Sequence, residues 1–139
     1  YSLKLNLYVY IGVFVMLENN KCILAYGLSN TELLNLKKLG YKIIEITPEM
    51  CEMTLMDVLK GTRLDIFNCN PIREKVILYN NLSEYELRKA IMDTRQNIKD
   101  GILAVVTQQS INWKISYFIK HLIDEKEWYS KVRKEEIDE

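Results

Sequence analysis

Two loops hold the residue types best suited to chemistry. Tyr26-Gly27-Leu28-Ser29 and Tyr79-Asn80-Asn81-Leu82-Ser83 each leave an apolar run and enter a helix start. A helix N-terminus presents unpaired N–H groups and the positive end of a dipole, so a loop of this kind can hold an anion. Gly27 permits close backbone approach, Asn80 and Asn81 carry amide donors, and Ser29 and Ser83 carry hydroxyls. Tyr26, Gly27, Ser29, Asn80, Asn81 and Ser83 are therefore the candidate ligand-binding set. Tight-turn backbone needs and helix capping account for the same residues without a ligand. Neither loop is glycine-rich and neither carries a Gly-Lys-Ser/Thr step, which disfavours nucleotide binding of the familiar kinds.

Other groups offer less. The single histidine, His121, has Asp124 and Glu125 within one turn, the spacing of an ion pair on a solvated helix face. No nucleophile is placed beside it, and no catalytic residue is assigned. Cys22, Cys51 and Cys69 are widely separated with no Cys-x-x-Cys step, so neither a disulfide framework nor a zinc cluster is expected. Cys22 sits in an apolar run, where a cysteine acts as a small buried hydrophobe. No metal and no cofactor is expected. The first apolar run ends in Ala25-Tyr26-Gly27, where phosphoacceptor domains of the receiver type place acidic residues, and that class is set aside. Formal net charge is zero, which argues against a nucleic-acid partner and against a membrane surface.

The elements that must position these groups occur twice. Lys21-Cys22-Ile23-Leu24-Ala25-Tyr26 with Leu28-Ser29-x-x-Glu32-Leu33 returns as Lys75-Val76-Ile77-Leu78-Tyr79-Asn80 with Leu82-Ser83-x-x-Glu86-Leu87. Each Ser-x-x-Glu is a capping box: the serine oxygen accepts from the third helical N–H while the glutamate reaches back to the cap N–H. The apolar runs before the caps do not alternate, which suits strands buried on both faces of a parallel sheet. Lys42 to Thr47 and Ile102 to Thr107 read as the second strand of each half, and helical apolar spacing follows each. The separation between copies grows by six residues between the two strands, which places an insertion between Leu87 and Ile102.

The expected fold is thus α/β: two βαβα repeats forming one four-stranded parallel sheet in the order 2-1-3-4, with helices on both faces. Repeat one spans residues 20–61, a linker 62–73, repeat two 74–124, and a charged C-terminal helix 125–139. Ligands of open parallel sheets settle at the carboxyl ends of strands where the order reverses, here between the first and third strands. Thr47 and Thr107, at the ends of the outer strands, either join such a site or begin turns.

The second half resembles the bacterial domain-of-unknown-function family DUF3783. The resemblance rests on Lys75-Val76-Ile77-Leu78-Tyr79-Asn80, the Leu82-Ser83-x-x-Glu86-Leu87 step, Ala104-Val105-Val106-Thr107, and Asn112-Trp113-Lys114-Ile115 leading into His121-Leu122-Ile123. The first half resembles a degenerate related repeat, with Glu52-Met53 where the second has Asn112-Trp113. The family implies the fold and a cytoplasmic bacterial setting and supplies no catalytic residues. Asn112 is expected to cap the last helix and Trp113 to anchor it.

The ends raise two further expectations. Leu7 to Leu17 is apolar but too short to span a bilayer, and no small-residue cleavage motif follows. The codons of Gly12-Val13 place a ribosome-binding sequence before Met16 if the first wobble base is adenine, so residues 1–15 are expected to be a translated leader or disordered extension and 16–139 a single domain. Along the charged C-terminal run, Trp128 and Tyr129 either form a contact with a protein partner or a second copy, or fold back onto the sheet. The expected function is that of a non-enzymatic protein-interaction or regulatory module. The alternative is a small-molecule or anion-binding sensor, or weak enzyme, at the crevice.

Overall fold

The computed structural model describes residues 21–61 and 72–138. The expected leader, Met16, Cys69 and most of the expected linker lie outside the described residues. Strand β1 (Cys22–Tyr26) leads into helix α1 (Asn30–Lys37), and strand β2 (Lys42–Ile46) follows. A 3-10 turn (Pro48–Met50) and the short helix α2 (Leu55–Leu59) complete the first half. The second half runs β3 (Val76–Asn80), α3 (Glu84–Asn97), β4 (Ile102–Val105), a 3-10 turn (Ser110–Asn112) and the long helix α4 (Ile115–Asp138).

Both expected capping boxes are present, at Ser29 with Glu32 and at Ser83 with Glu86. Thr54 and Asp57 form a third at the start of α2. The insertion falls in α3, which has 14 residues where α1 has 8. Asn112 does not cap α4, because the 3-10 turn ends there and the helix starts at Ile115.

The four strands lie in the expected order, β2-β1-β3-β4, but the sheet is mixed rather than parallel. β1 pairs parallel with β2, and β3 with β4, whereas β1 and β3 are antiparallel. Five buried residues in a row suit a neighbour running either way, so the apolar runs of β1 and β3 do not set their relative direction. Leu24 lies opposite Leu78, while Leu24 pairs with Ile44 and Leu78 with Ala104 on the outer sides.

A second antiparallel contact lies outside the sheet. Thr54 and Lys114 form an antiparallel bridge between the segments that start α2 and α4. The Leu55 N–H donates to the Trp113 carbonyl at 3.2 Å and the Ile115 N–H to the Met53 carbonyl at 2.9 Å.

Alternation along the central strands divides the core in two. Cys22, Leu24, Tyr26, Val76 and Leu78 face α2 and α4, meeting Leu55, Val58, Ile115, Phe118, Ile119 and Leu122. Ile23, Ala25, Ile77 and Tyr79 face α1 and α3, meeting Leu33, Leu36 and Ala90. The Tyr79 hydroxyl donates to Thr94 Oγ1 at 2.8 Å, and Thr94 donates to the Ala90 carbonyl at 2.7 Å, so the buried polar atoms between β3 and α3 are satisfied.

Candidate functional site

Antiparallel pairing of β1 with β3 sends their carboxyl ends to opposite ends of the sheet. Tyr26 lies beside Val76, and Asn80 lies beside Cys22. Tyr26, Gly27 and Ser29 are therefore gathered at one end, and Asn80, Asn81 and Ser83 at the other. The structure does not bring the two groups together into one crevice.

At the first end, local structure occupies the candidate residues. The Tyr26 hydroxyl donates to the Ile72 carbonyl at 2.9 Å and accepts from the Ile72 N–H at 3.0 Å, which ties β1 to the chain entering β3. Gly27 has φ of 78°, and a methyl carbon built on it would stand 2.5 Å from the Glu74 carbonyl oxygen. A cleft of about 330 Å³ opens here beside Tyr26, Gly27, Glu45, Thr47 and Pro48.

At the second end Asn81 takes the corresponding left-handed conformation, with φ of 61°. Asn80 is buried and its side chain hydrogen-bonds the Cys22 thiol. Burial pushes that thiol up to about 11 despite Asn80 and the nearby Lys42, so it stays protonated at neutral pH. Thr47 and Thr107 begin turns: the Thr47 N–H donates to Met50 Sδ at 3.4 Å, and the Thr107 N–H to Ser110 Oγ at 2.9 Å.

The helix N-termini already hold carboxylates. Glu32 accepts the Ser29 N–H at 3.0 Å and the Lys75 ammonium at 2.9 Å. Glu86 accepts the Ser83 N–H at 2.9 Å and the Lys21 ammonium at 3.0 Å. Each lysine thus reaches the capping glutamate of the other half. The lysine and glutamate spacing was visible in the sequence, but only the reversed direction of β3 lets the pairs cross over. The Ser83 N–H, followed by Lys21, holds the Glu86 carboxyl well down, at about 2. For Glu32, burial pushes upward, but the Ser29 backbone and Lys75 outweigh it and the net shift is downward. An exogenous anion would have to share each helix start with a carboxylate.

A pH dependence follows from Glu86. Its carboxyl is bound more tightly as an anion in the folded state, so its stabilisation is complete above the ordinary carboxylate value of 4.5 and is lost as pH falls toward 2. Urea midpoints measured between pH 7 and pH 3 should fall less steeply for Glu86→Gln than for the native chain. Parallel slopes would remove Glu86 from the acid response.

Helix α4 carries the remaining candidates. It is continuous, and from Asp124 to Ser130 every residue is exposed. Trp128 and Tyr129 are 59% and 62% exposed, so they do not fold back onto the sheet. Their rings meet edge to face with centroids 5.0 Å apart. On the body, Trp113 packs edge-on to Tyr117, Phe118 and His121, and His121 Nε2 lies 3.2 Å from Glu125 Oε1. Lys126 Nζ lies 3.6 Å from Glu74 Oε2, tying the start of the projecting segment to the body.

The stretch from Lys75 through β3, the Ser83 cap, β4 and Asn112-Trp113 into α4 is now seen to be one continuous half of the sheet with its two helices. Residues 75–129 match DUF3783, described as a domain of unknown function. No curated protein and no solved structure matches the chain. The DUF3783 match runs beyond the buried part of α4 and takes in Trp128 and Tyr129. Among the described residues no group of acidic, histidine and cysteine side chains could hold a metal ion, and no helix is long and apolar enough to cross a membrane.

Proposed function

We propose that the chain is a non-enzymatic protein-interaction or regulatory module, cytoplasmic and bacterial, whose contact surface is the exposed stretch of α4 around Trp128 and Tyr129. The observation that carries this reading is the exposure of Trp128 and Tyr129 on a stretch of α4, Asp124 to Ser130, in which every residue is exposed. Large aromatics that stay in water forgo on the order of 1.5–3 kcal/mol each of burial, and aromatic side chains are enriched at the centres of protein interfaces. Tyr117, 56% exposed, continues the surface toward the body. The DUF3783 match supports treating this part of the helix as belonging to the domain. The crossed Lys21–Glu86 and Lys75–Glu32 pairs, with the Leu24–Leu78 register, support reading the two halves as copies of one unit.

The test places a photoreactive phenylalanine analogue at position 128 of the full chain and irradiates bacterial cells producing it. A discrete cross-linked protein adduct is expected. Absence of any adduct, with the chain folded and abundant, overturns the reading.

The cleft beside Tyr26 and Gly27 favours a second reading, a small-molecule sensor or weak enzyme. With Glu45 in its lining and Glu32 at the adjacent helix start, a neutral or cationic ligand suits it better than an anion. A ligand at a hundred times its dissociation constant adds about 2.7 kcal/mol of stability, so a flat thermal-shift screen counts against it.

A further inference from the structure

We infer that the outer edge of β4 is a self-pairing surface, on which β4 of a second copy adds antiparallel about a twofold axis at Ala104 to make one continuous sheet. This goes beyond the reading of α4 and does not rest on it. β4 is an edge of the sheet and pairs only with β3 among the described residues. The Ile102 N–H donates to the Lys75 carbonyl at 2.8 Å and the Val106 N–H to the Tyr79 carbonyl at 3.0 Å, so the even-numbered residues of β4 turn their backbone groups toward β3. Leu103 and Val105 turn theirs outward, where no group among the described residues bonds them. The edge is also uncharged. From Gly101 to Trp113 the chain has no charged side chain, and Val105 is 41% exposed. The opposite edge, β2, carries exposed Lys42 and Glu45, a common protection against strand addition.

What fits this edge is β4 itself. The backbone groups on either side of the outward pair are already engaged. The Gly101 carbonyl accepts from Arg95 at 2.9 Å, the Thr107 N–H donates to Ser110 Oγ at 2.9 Å, and the Thr107 carbonyl accepts from the Ile111 N–H at 3.0 Å. A twofold axis at Ala104 sets Leu103 opposite Val105 of the second copy and Val105 opposite its Leu103, so every outward N–H and C=O is used. An axis at Leu103 or at Val105 would instead call on the engaged groups of Gly101 or Thr107. Ala104 meets its own copy at the close, non-hydrogen-bonded position, where a small side chain lets the strands approach. The remaining cross-strand pairs, Leu103 with Val105 and Ile102 with Val106, are apolar throughout. Pairing would cover Ile102, Leu103 and Ala104, which the fold leaves only partly buried, and would desolvate no charge of β4.

Sedimentation equilibrium and cysteine cross-linking of the full chain test the pairing. The native chain is expected to be a dimer. Val105→Pro removes an outward N–H and leaves the ladder to β3 intact, so it should weaken dimerisation at least about tenfold while circular dichroism stays native. Val105→Thr keeps that N–H and should dimerise as the native chain does. Under mild oxidation Ala104→Cys should form a disulfide-linked dimer, because the two Cα atoms would stand about 4.5 Å apart. Val105→Cys, set against Leu103 rather than its own copy, should cross-link no more than the native chain. A native chain that stays monomeric would leave the edge to a different strand and overturn the inference. So would a dimer that Val105→Pro does not weaken, or cross-linking at position 105 in place of 104. If Val105→Pro failed to fold, the two cysteine variants would decide alone.

Discussion

Gly27→Ala is expected to destabilise the fold by about 3 kcal/mol, against about 1 kcal/mol for Gly40→Ala. Both glycines have positive φ, 78° and 91°, so both substitutions carry the left-handed penalty of about 1–2 kcal/mol. They differ in surroundings. Nothing lies within 4 Å of a Cβ on Gly40, whereas one on Gly27 meets the Glu74 carbonyl oxygen at 2.5 Å. That oxygen belongs to the backbone entering β3 and cannot rotate away, so the chain must shift, which adds overpacking strain of about 1–3 kcal/mol. Urea denaturation of the two variants measures the difference. Equal losses would show that the contact with Glu74 relaxes without cost.

This bears directly on the candidate site. A glycine at a strand-to-helix loop suggests a ligand phosphate brought close to the backbone, and here the backbone that comes close is the protein's own. Asn81, at the corresponding place in the second half, adopts the same left-handed conformation with a side chain, as asparagine can. A capping carboxylate stands at both helix starts, and the crossed lysines make each of them a tie between halves. The two helix starts that looked able to hold an anion carry the crossed ion pairs that tie the two halves of the sheet.

Strand direction is the part of the fold the sequence conceals. β1 and β3 are buried along their whole length, and a run of five buried residues has the same pattern whichever way its neighbour points. The caps were legible because Ser-x-x-Glu is a local chemical device, and strand order followed from the matching halves. The bridge between Thr54 and Lys114 had no local signal at all. The hydrogen bond of Asn80 to Cys22 was likewise hidden, since it links residues of two strands whose relative direction sets the contact. On α4 the sequence left open whether Trp128 and Tyr129 fold back or project. Helical spacing cannot decide that, because the length of body available to cover them depends on how far the sheet and α2 extend beside the helix.

The strongest test of the central strand pair is at its middle. Leu24→Ala and Leu78→Ala should each cost about 3 kcal/mol, since both side chains are fully buried in the same cluster and deleting such a leucine typically costs 2–5 kcal/mol. The two positions lie opposite each other across the β1–β3 pair and are equally buried, so their losses should be alike. Their combination should fall short of the sum by at least about 0.5 kcal/mol, because each single change already removes whatever the two side chains gain from one another. Leu36→Ala provides the control. It is equally buried but belongs to the cluster on the other face of the sheet, so its loss should add to that of Leu78→Ala within about 0.3–0.5 kcal/mol. Urea unfolding of these variants reads all of these quantities. If the Leu24 and Leu78 losses were strictly additive while those of Leu36 and Leu78 coupled, the two central leucines would not share a contact across the β1–β3 pair.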